Sequence, residues 1–193
     1  IGIAVAVEGW SGYFPINHEG GGNMDRGLVL DWFEEVLHTD ATKIFHNAMY
    51  DVSWIRSMGY QIRGGIIDTL IAASLIDENR WGYALNTLGR EYVGMGKNEK
   101  ILQEAAKEWG INPKSEMWRL PAPLVGEYAE QDAVVTLKLW HALQHEISKQ
   151  DLWDVFNLET NLFPCLVDMK FKGVRVDIDK AEATKAQLVD AEK

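Results

Sequence analysis

Two pairs of residues in this sequence have the type and the spacing to do chemistry. Asn47 and Asp51 lie four apart, as do Tyr128 and Asp132, and on a helix that spacing puts both side chains of a pair on one face. Each pair also has a plainer reading. Asn47 suits a helix cap, a position where Asn is strongly preferred, and Asp51 suits a solvated helix surface. Tyr128 and Asp132 read as a surface tyrosine beside one acid of the run Glu127, Glu130, Asp132. Other candidates are weaker. His141 and His145 have the helical spacing of zinc ligands, yet no Glu follows His141 and no third ligand is evident, so they read as a solvated face. Gly94-Met95-Gly96-Lys97 lacks the spacing and the Ser/Thr of a phosphate-binding loop.

The elements that must hold these residues follow from periodicity. Ile1-Gly2-Ile3-Ala4-Val5-Ala6-Val7 reads as a buried strand, turned by Gly9-Trp10-Ser11-Gly12 into a second extended run at Tyr13-Phe14-Pro15-Ile16. Gly20-Gly21-Gly22-Asn23 is expected to be a flexible loop. Val29, Trp32, Phe33, Val36 and Leu37 recur at helical spacing behind a cap at Asp25. A short strand at 43–45 leads into a helix beginning at Asn47 and closed by Gly59, and Asp68 caps another through Ile76. Strands alternating with helices point to an α/β sheet with helices packed on it. The second half is helical, over 84–93, 99–109, 124–149 and 152–172. Val174-Arg175-Val176 then alternates like a strand, before a polar, Ala-rich helix over 179–193. Trp32, Trp54, Trp140 and Trp153 fall at helical core spacing and are expected to pack.

Composition narrows the function classes. The chain has 193 residues, 47% apolar, enough to bury a core without a disulfide or metal staple, and it fits one domain or a domain plus part of another. No apolar run approaches the roughly 20 residues of a membrane helix, so no membrane partner is expected. One cysteine, Cys165, leaves no disulfide framework and points to a reducing compartment such as the cytoplasm. Nineteen basic residues against 29 acidic give a net charge of −10, which argues against a duplex binder that works by neutralising phosphates. A nucleic-acid enzyme stays open, because carboxylates can hold Mg²⁺ ions that meet the phosphate instead.

Order and context then join the two pairs. Phe45-His46-Asn47-Ala48-Met49-Tyr50-Asp51 resembles the second exonuclease motif, and Tyr128-Ala129-Glu130-Gln131-Asp132 the third, of the 3′ to 5′ proofreading domain of family A DNA polymerases, in phages and in bacterial DNA polymerase I. The third motif is the tyrosine variety of the DEDD exonucleases. Leu158-Glu159, Leu162, Pro164-Cys165-Leu166, Met169, Gly173-Val174 and Asp177 resemble the passage from exonuclease into polymerase domain. The resemblance implies a ribonuclease H-like α/β fold, with a mixed β-sheet, flanking helices and a helical second half. It divides the chain into an exonuclease domain, 1–150, and the helical start of a polymerase domain, 151–193.

By the same resemblance Asp51 and Asp132 are metal ligands, Tyr128 orients the attacking water, and Asn47 and Tyr50 lie near the bound 3′ end. Two Mg²⁺ or Mn²⁺ ions are implied as cofactors, and the single-stranded 3′ end of DNA and a polymerase domain of the same polypeptide as partners. The loop at 94–97 is one that could touch DNA through Lys97 or Lys100. The family's first motif, Asp-x-Glu on a strand, is expected ahead of Ile1, so the chain reads as truncated at its N-terminus and its two-ion site as incomplete. Asp190-Ala191-Glu192 cannot substitute, because residues two apart on a helix do not face the same way, and Glu8 lies at the far end of its strand. Two alternatives stay open here: a ribonuclease D-like RNA exonuclease, and a non-catalytic exonuclease-like scaffold.

Overall fold

The computed structural model describes residues 1–96, 99–113 and 115–192. It is a mixed α/β structure in which helices dominate. Strands β1 (Gly2–Val7) and β2 (Trp10–Pro15) form an antiparallel hairpin, with Gly2 opposite Pro15 and Val7 opposite Trp10. Strands β3 (Lys43–Phe45) and β4 (Ile66–Asp68) pair in parallel, Phe45 opposite Asp68. The strands are thus divided between two two-stranded sheets, where the sequence suggested one mixed sheet.

Helix α1 (Arg26–Leu37) is capped as expected by the Asp25 carboxylate, which accepts from the Leu28 N–H at 2.9 Å. Helix α2 (Ala48–Ser57) follows β3, and α3 (Thr69–Ile76) follows β4. The expected helix over 84–93 is broken in two: α4 (Leu85–Leu88) passes into one π-helical turn, Gly89–Val93. Helix α5 (Lys100–Glu108) and the single 3₁₀ turn Met117–Arg119 precede the 27-residue α6 (Pro123–Lys149). Helices α7 (Trp153–Lys172) and α8 (Ile178–Ala191) complete the described chain. Residues 174–176 do not form the strand that their alternation suggested. They have no partner strand among the described residues, and Val174 is 89% exposed.

Helix α6 is the spine of the core. Val135, Leu139, Leu143 and Ile147 recur every four residues along one face and are buried with Trp140 against Ala72 and Ala73 of α3, Leu85 and Leu88 of α4, and Phe156 of α7. Each such side chain contributes roughly 1.5 to 3 kcal/mol by leaving water. The Trp140 ring stacks on Phe156 with centroids 5.3 Å apart. A second cluster joins Ala48 and Val52 of α2 to Phe163 and Val167 of α7, so α7 shares buried contacts with the elements before residue 150. Helix α8 buries no residue.

The hairpin lies against α6, and within it a Cβ at position 2 would come within 2.3 Å of the Tyr13 hydroxyl, so the Tyr13 ring would have to move. The glycine loop expected to be flexible is docked instead. Glu19 N–H donates to Trp118 O at 2.9 Å, Ala122 N–H donates to Gly21 O at 3.0 Å, and a Cβ on Gly20 would strike Pro121 at 2.5 Å.

One carboxylate organises the starts of two helices. Asp68, 6% exposed, accepts from the Leu70 N–H at 2.9 Å as the cap of α3, as the sequence suggested. It also accepts from the Asn47 N–H at 2.9 Å and the Ala48 N–H at 2.8 Å. Asn47 therefore is not the side-chain cap of α2. Its backbone turns left-handed at φ 65°, its side chain makes no cap bond, and a residue 21 positions away closes the helix start. Left-handed backbone is a conformation Asn tolerates better than most residues. We expect Asp68→Ala, which strands three N–H donors, to cost about 2 to 4 kcal/mol. Urea unfolding of the two forms checks this, and a difference under about 0.5 kcal/mol would refute it.

Candidate active site

The β3 and β4 strands carry the first half of the candidate site. Phe45 ends β3, and Thr69 at the start of α3 locks the crossing that follows. Its hydroxyl donates to Phe45 O at 3.0 Å, so in the 2.9 Å contact between His46 Nδ1 and Thr69 Oγ1 the His46 Nδ1–H donates and the hydroxyl oxygen accepts. Asn47 is exposed beyond this lock, Tyr50 projects from the first turn of α2 at 60% exposure, and Asp51 is half-buried next to it. Burial pushes the Asp51 carboxyl up to about 6, the nearby Asp68 charge adds to the rise, and a backbone N–H opposes it. The ordinary Asp value is near 3.9. Asp51 is thus an acid that folding leaves short of positive charge.

Helix α6 carries the second half. Tyr128 is half-buried beside the cluster formed by Leu102, Ala105 and Ala106 of α5 with Leu120 and Val125. Asp132 lies one turn further on with its Oδ1 atom shielded from solvent, and Thr136 Oγ1 donates to the Asp132 carbonyl at 2.8 Å. Two of the three residues between them tie α6 to its surroundings. Glu130 Oε2 accepts from Ser11 Oγ of the hairpin at 3.4 Å, and Gln131 Nε2 donates to Gly96 O at 2.7 Å. The 94–96 loop is therefore held by the third motif itself. Lys97 lies outside the described residues, and Lys100 opens α5. Both α2 and α6 pack against β3 and against α7, two elements shared by the Asn47–Tyr50–Asp51 group and the Tyr128–Asp132 pair.

Sequence reasoning passed over a pair, buried His18 and half-buried Tyr13, that sets the start of α6. His18, 4% exposed, lies with Nδ1 2.9 Å from Leu120 O and Nε2 2.6 Å from the Tyr13 hydroxyl. A carbonyl can only accept, so Nδ1 carries the hydrogen and Tyr13 donates to Nε2. Burial pushes His18 below its ordinary value and Tyr13 up to about 12. Tyr13 reads only as part of an extended run and His18 belongs to no periodic pattern, so nothing in the sequence marks the pairing. His141, read as solvated, approaches Glu8 at 3.4 Å and is half-exposed.

Asp51 and Asp132 offer hard oxygen atoms, the ligand type that Mg²⁺ and Mn²⁺ take. Their number falls short of two ions. Among the described residues no group of three or more His, Cys, Asp and Glu side chains is placed to hold a metal, so the described residues fit part of a cation site and no more.

The Asp51 carboxyl titrates higher folded, at about 6, than the near-3.9 value of an unfolded Asp. The folded state therefore binds the extra proton between about pH 4 and 6, and the group's contribution is fully present below that window and lost as pH rises through it. Asp51→Asn should raise stability at pH 7.5 in metal-free buffer by roughly 1 to 2 kcal/mol, allowing for partial solvation. The gain should vanish below about pH 4. Denaturant midpoints at pH 4, 6 and 7.5 test this, and a pH-independent difference would exclude it.

Comparison with known proteins places the chain. A family model described as 3′-5′ exonuclease matches residues 11–148. A DNA-directed DNA polymerase of Pseudomonas phage M6 is 36% identical over 197 residues, covering 99% of this chain and 29% of that polymerase. The DNA polymerase DpoZ of Acinetobacter phage SH-Ab 15497 is 31% identical, with 83% of this chain and 27% of that protein covered. DNA polymerase I of Synechocystis sp. is 25% identical, over 92% of this chain and 18% of the enzyme. The chain thus spans under a third of the length of each of these relatives. It belongs to the 3′-5′ exonuclease domain family of family A DNA polymerases.

Proposed function

We propose that this chain is the proofreading part of a DNA polymerase, hydrolysing the terminal phosphodiester of a single-stranded 3′ end of DNA, on a ribonuclease H-like arrangement of its α/β elements. The observation that carries this reading is the partial burial of two acids at the motif positions, Asp51, pushed up to about 6, and Asp132, with Oδ1 shielded from solvent. Relatives that are DNA polymerases favour DNA over RNA as the substrate. The match ending at residue 148 supports taking 1–150 as the exonuclease domain and 151–193 as the helical start of a polymerase domain. The wholly exposed α8 supports it too, because a helix with Leu188 at 62% and Val189 at 46% exposure suits a larger neighbour. The lone Cys165 and the phage and bacterial relatives support a cytoplasmic setting.

In this reading Asp51 and Asp132 hold divalent cations, whose chemistry is to activate a water and to balance charge on the attacking and leaving oxygens. Tyr128 directs its hydroxyl to the attacking water, its ring braced by the α5 cluster. Asn47, freed from capping by Asp68, offers its amide to the 3′-terminal nucleotide. Tyr50 stacks on a splayed base through its exposed ring.

The 193 residues contain one Asp-x-Glu, Asp190-Ala191-Glu192, at the end of α8 where the two acids diverge. As it stands the chain supplies two of four expected carboxylates, and we expect weak Mg²⁺ or Mn²⁺ binding and negligible resection of labelled single-stranded DNA. A version extended ahead of Ile1 by a strand bearing Asp-x-Glu should resect the 3′ end. In that version Tyr128→Phe should slow single-turnover hydrolysis roughly 10- to 100-fold with metal binding retained. Asp132→Ala should slow it by about 1000-fold or more. Rates untouched by both substitutions would show the site to be elsewhere. Robust resection by the 193-residue chain, lost in Asp132→Ala, would show that other residues complete the metal site.

A further inference from the structure

Four tryptophans have helical core spacing, and three of them pack. Trp140 is 4% exposed, Trp153 meets it edge to face, and Trp32 lies 4.1 Å from the Phe14 ring centroid. Trp54 does not follow them. It is 59% exposed on α2, whose core face is Ala48, Val52 and Ile55. Its position relative to the candidate site is specific. It lies three residues beyond Asp51 and four beyond Tyr50, hence on the surface next to both, and it meets the Tyr50 ring edge to face with centroids 6.3 Å apart. An edge-to-face pair in the open leaves ring faces uncovered.

We propose that Trp54 is a second stacking residue for the single-stranded 3′ end, receiving the base next to the terminal nucleotide while Tyr50 serves the terminal one. The assignment rests on the exonuclease reading and extends it along α2. Four residues of helix advance about 6 Å, a distance suited to one nucleotide step in a strand whose bases are splayed rather than stacked. The occupant follows from continuity and from charge. The pair begins beside Asp51, where the scissile end must lie, and Met58, 44% exposed, continues the same surface one turn further on. With a net charge of −10 the chain gains little by pairing with phosphates, and the attraction left to it is contact with the π faces that every base presents. Binding by this surface should be tolerant of sequence and only weakly weakened by salt.

The test uses the 193-residue chain in metal-free buffer, 5′-labelled oligothymidylate, and the same strand with an abasic residue next to its 3′ terminus, read by fluorescence anisotropy. Trp54→Ala should weaken binding of the intact strand by about 5- to 100-fold, and Trp54→Phe should recover most of the loss. The abasic strand should bind wild type weakly and Trp54→Ala no worse, because the base and the ring are then both gone. Unchanged far-ultraviolet circular dichroism checks that the exposed substitution leaves α2 folded. If the intact strand binds Trp54→Ala as tightly as wild type, or if the abasic penalty persists in that variant, the stacking role is wrong and the surface belongs to another protein segment. In that event a site still impaired by Asp132→Ala in the extended version would leave the exonuclease reading standing. No binding of either strand by any form would overturn both.

Discussion

The Asp68 carboxylate is the constraint on which the rest of the site depends. A buried anion is tolerated only where donors surround it, and here three backbone N–H groups do so, two at the start of α2 and one at the start of α3. The positive ends of two helix dipoles thereby converge on one side chain. The parallel pairing of β3 and β4 brings Asp68 opposite Phe45, so a three-residue strand pair is enough to place two helix starts. The same arrangement releases the Asn47 side chain and fixes the turn that sends Tyr50 outward and Asp51 inward.

That solution has an electrostatic consequence. The Asp68 charge adds to the burial that raises Asp51 to about 6, so the group that orders the α2 start also loads the neighbouring acid with unfavourable charge. The converging helix ends answer Asp68, whereas folding leaves Asp51 to be answered from outside. A divalent cation at Asp51 would turn a destabilising ionisation into a favourable one. Structure and proposed chemistry are linked here through one carboxylate pair.

Much of this was legible in sequence. The four-residue spacings, the caps at Asp25 and Asp68 and the long apolar stripe of α6 are local or periodic, and each is found within a residue or so of its expected place. What could not be read depends on contacts remote in sequence. Asn47 has every local reason to cap α2, and it loses that role to a residue in the next strand. Tyr13 and His18 are unremarkable until Leu120, more than 100 positions away, supplies a carbonyl. The alternation at 174–176 predicts a strand, but a strand needs a partner, and none lies beside it among the described residues. Trp54 matches the core period of its helix only by count, because the buried face of α2 is narrow and Ala48, Val52 and Ile55 already fill it.

The two halves of the site are held by unlike means, and this bears on how the site can work. Asn47, Tyr50 and Asp51 stand on a ten-residue helix whose start depends on one carboxylate. Tyr128 and Asp132 stand on a 27-residue helix with five buried aliphatic side chains and ties from Glu130 and Gln131 to two other segments. A small shift of α2 would therefore meet less resistance than a shift of α6, since fewer buried contacts oppose it. Under the proposed roles, an acid on the adjustable α2 can settle onto a cation already fixed by Asp132 on α6, and a residue that orients a water is better carried by the rigid helix, because misplacing a reacting group by about 1 Å lowers rates by orders of magnitude. The roles proposed for Asp51 on α2 and for Asp132 and Tyr128 on α6 fit that division.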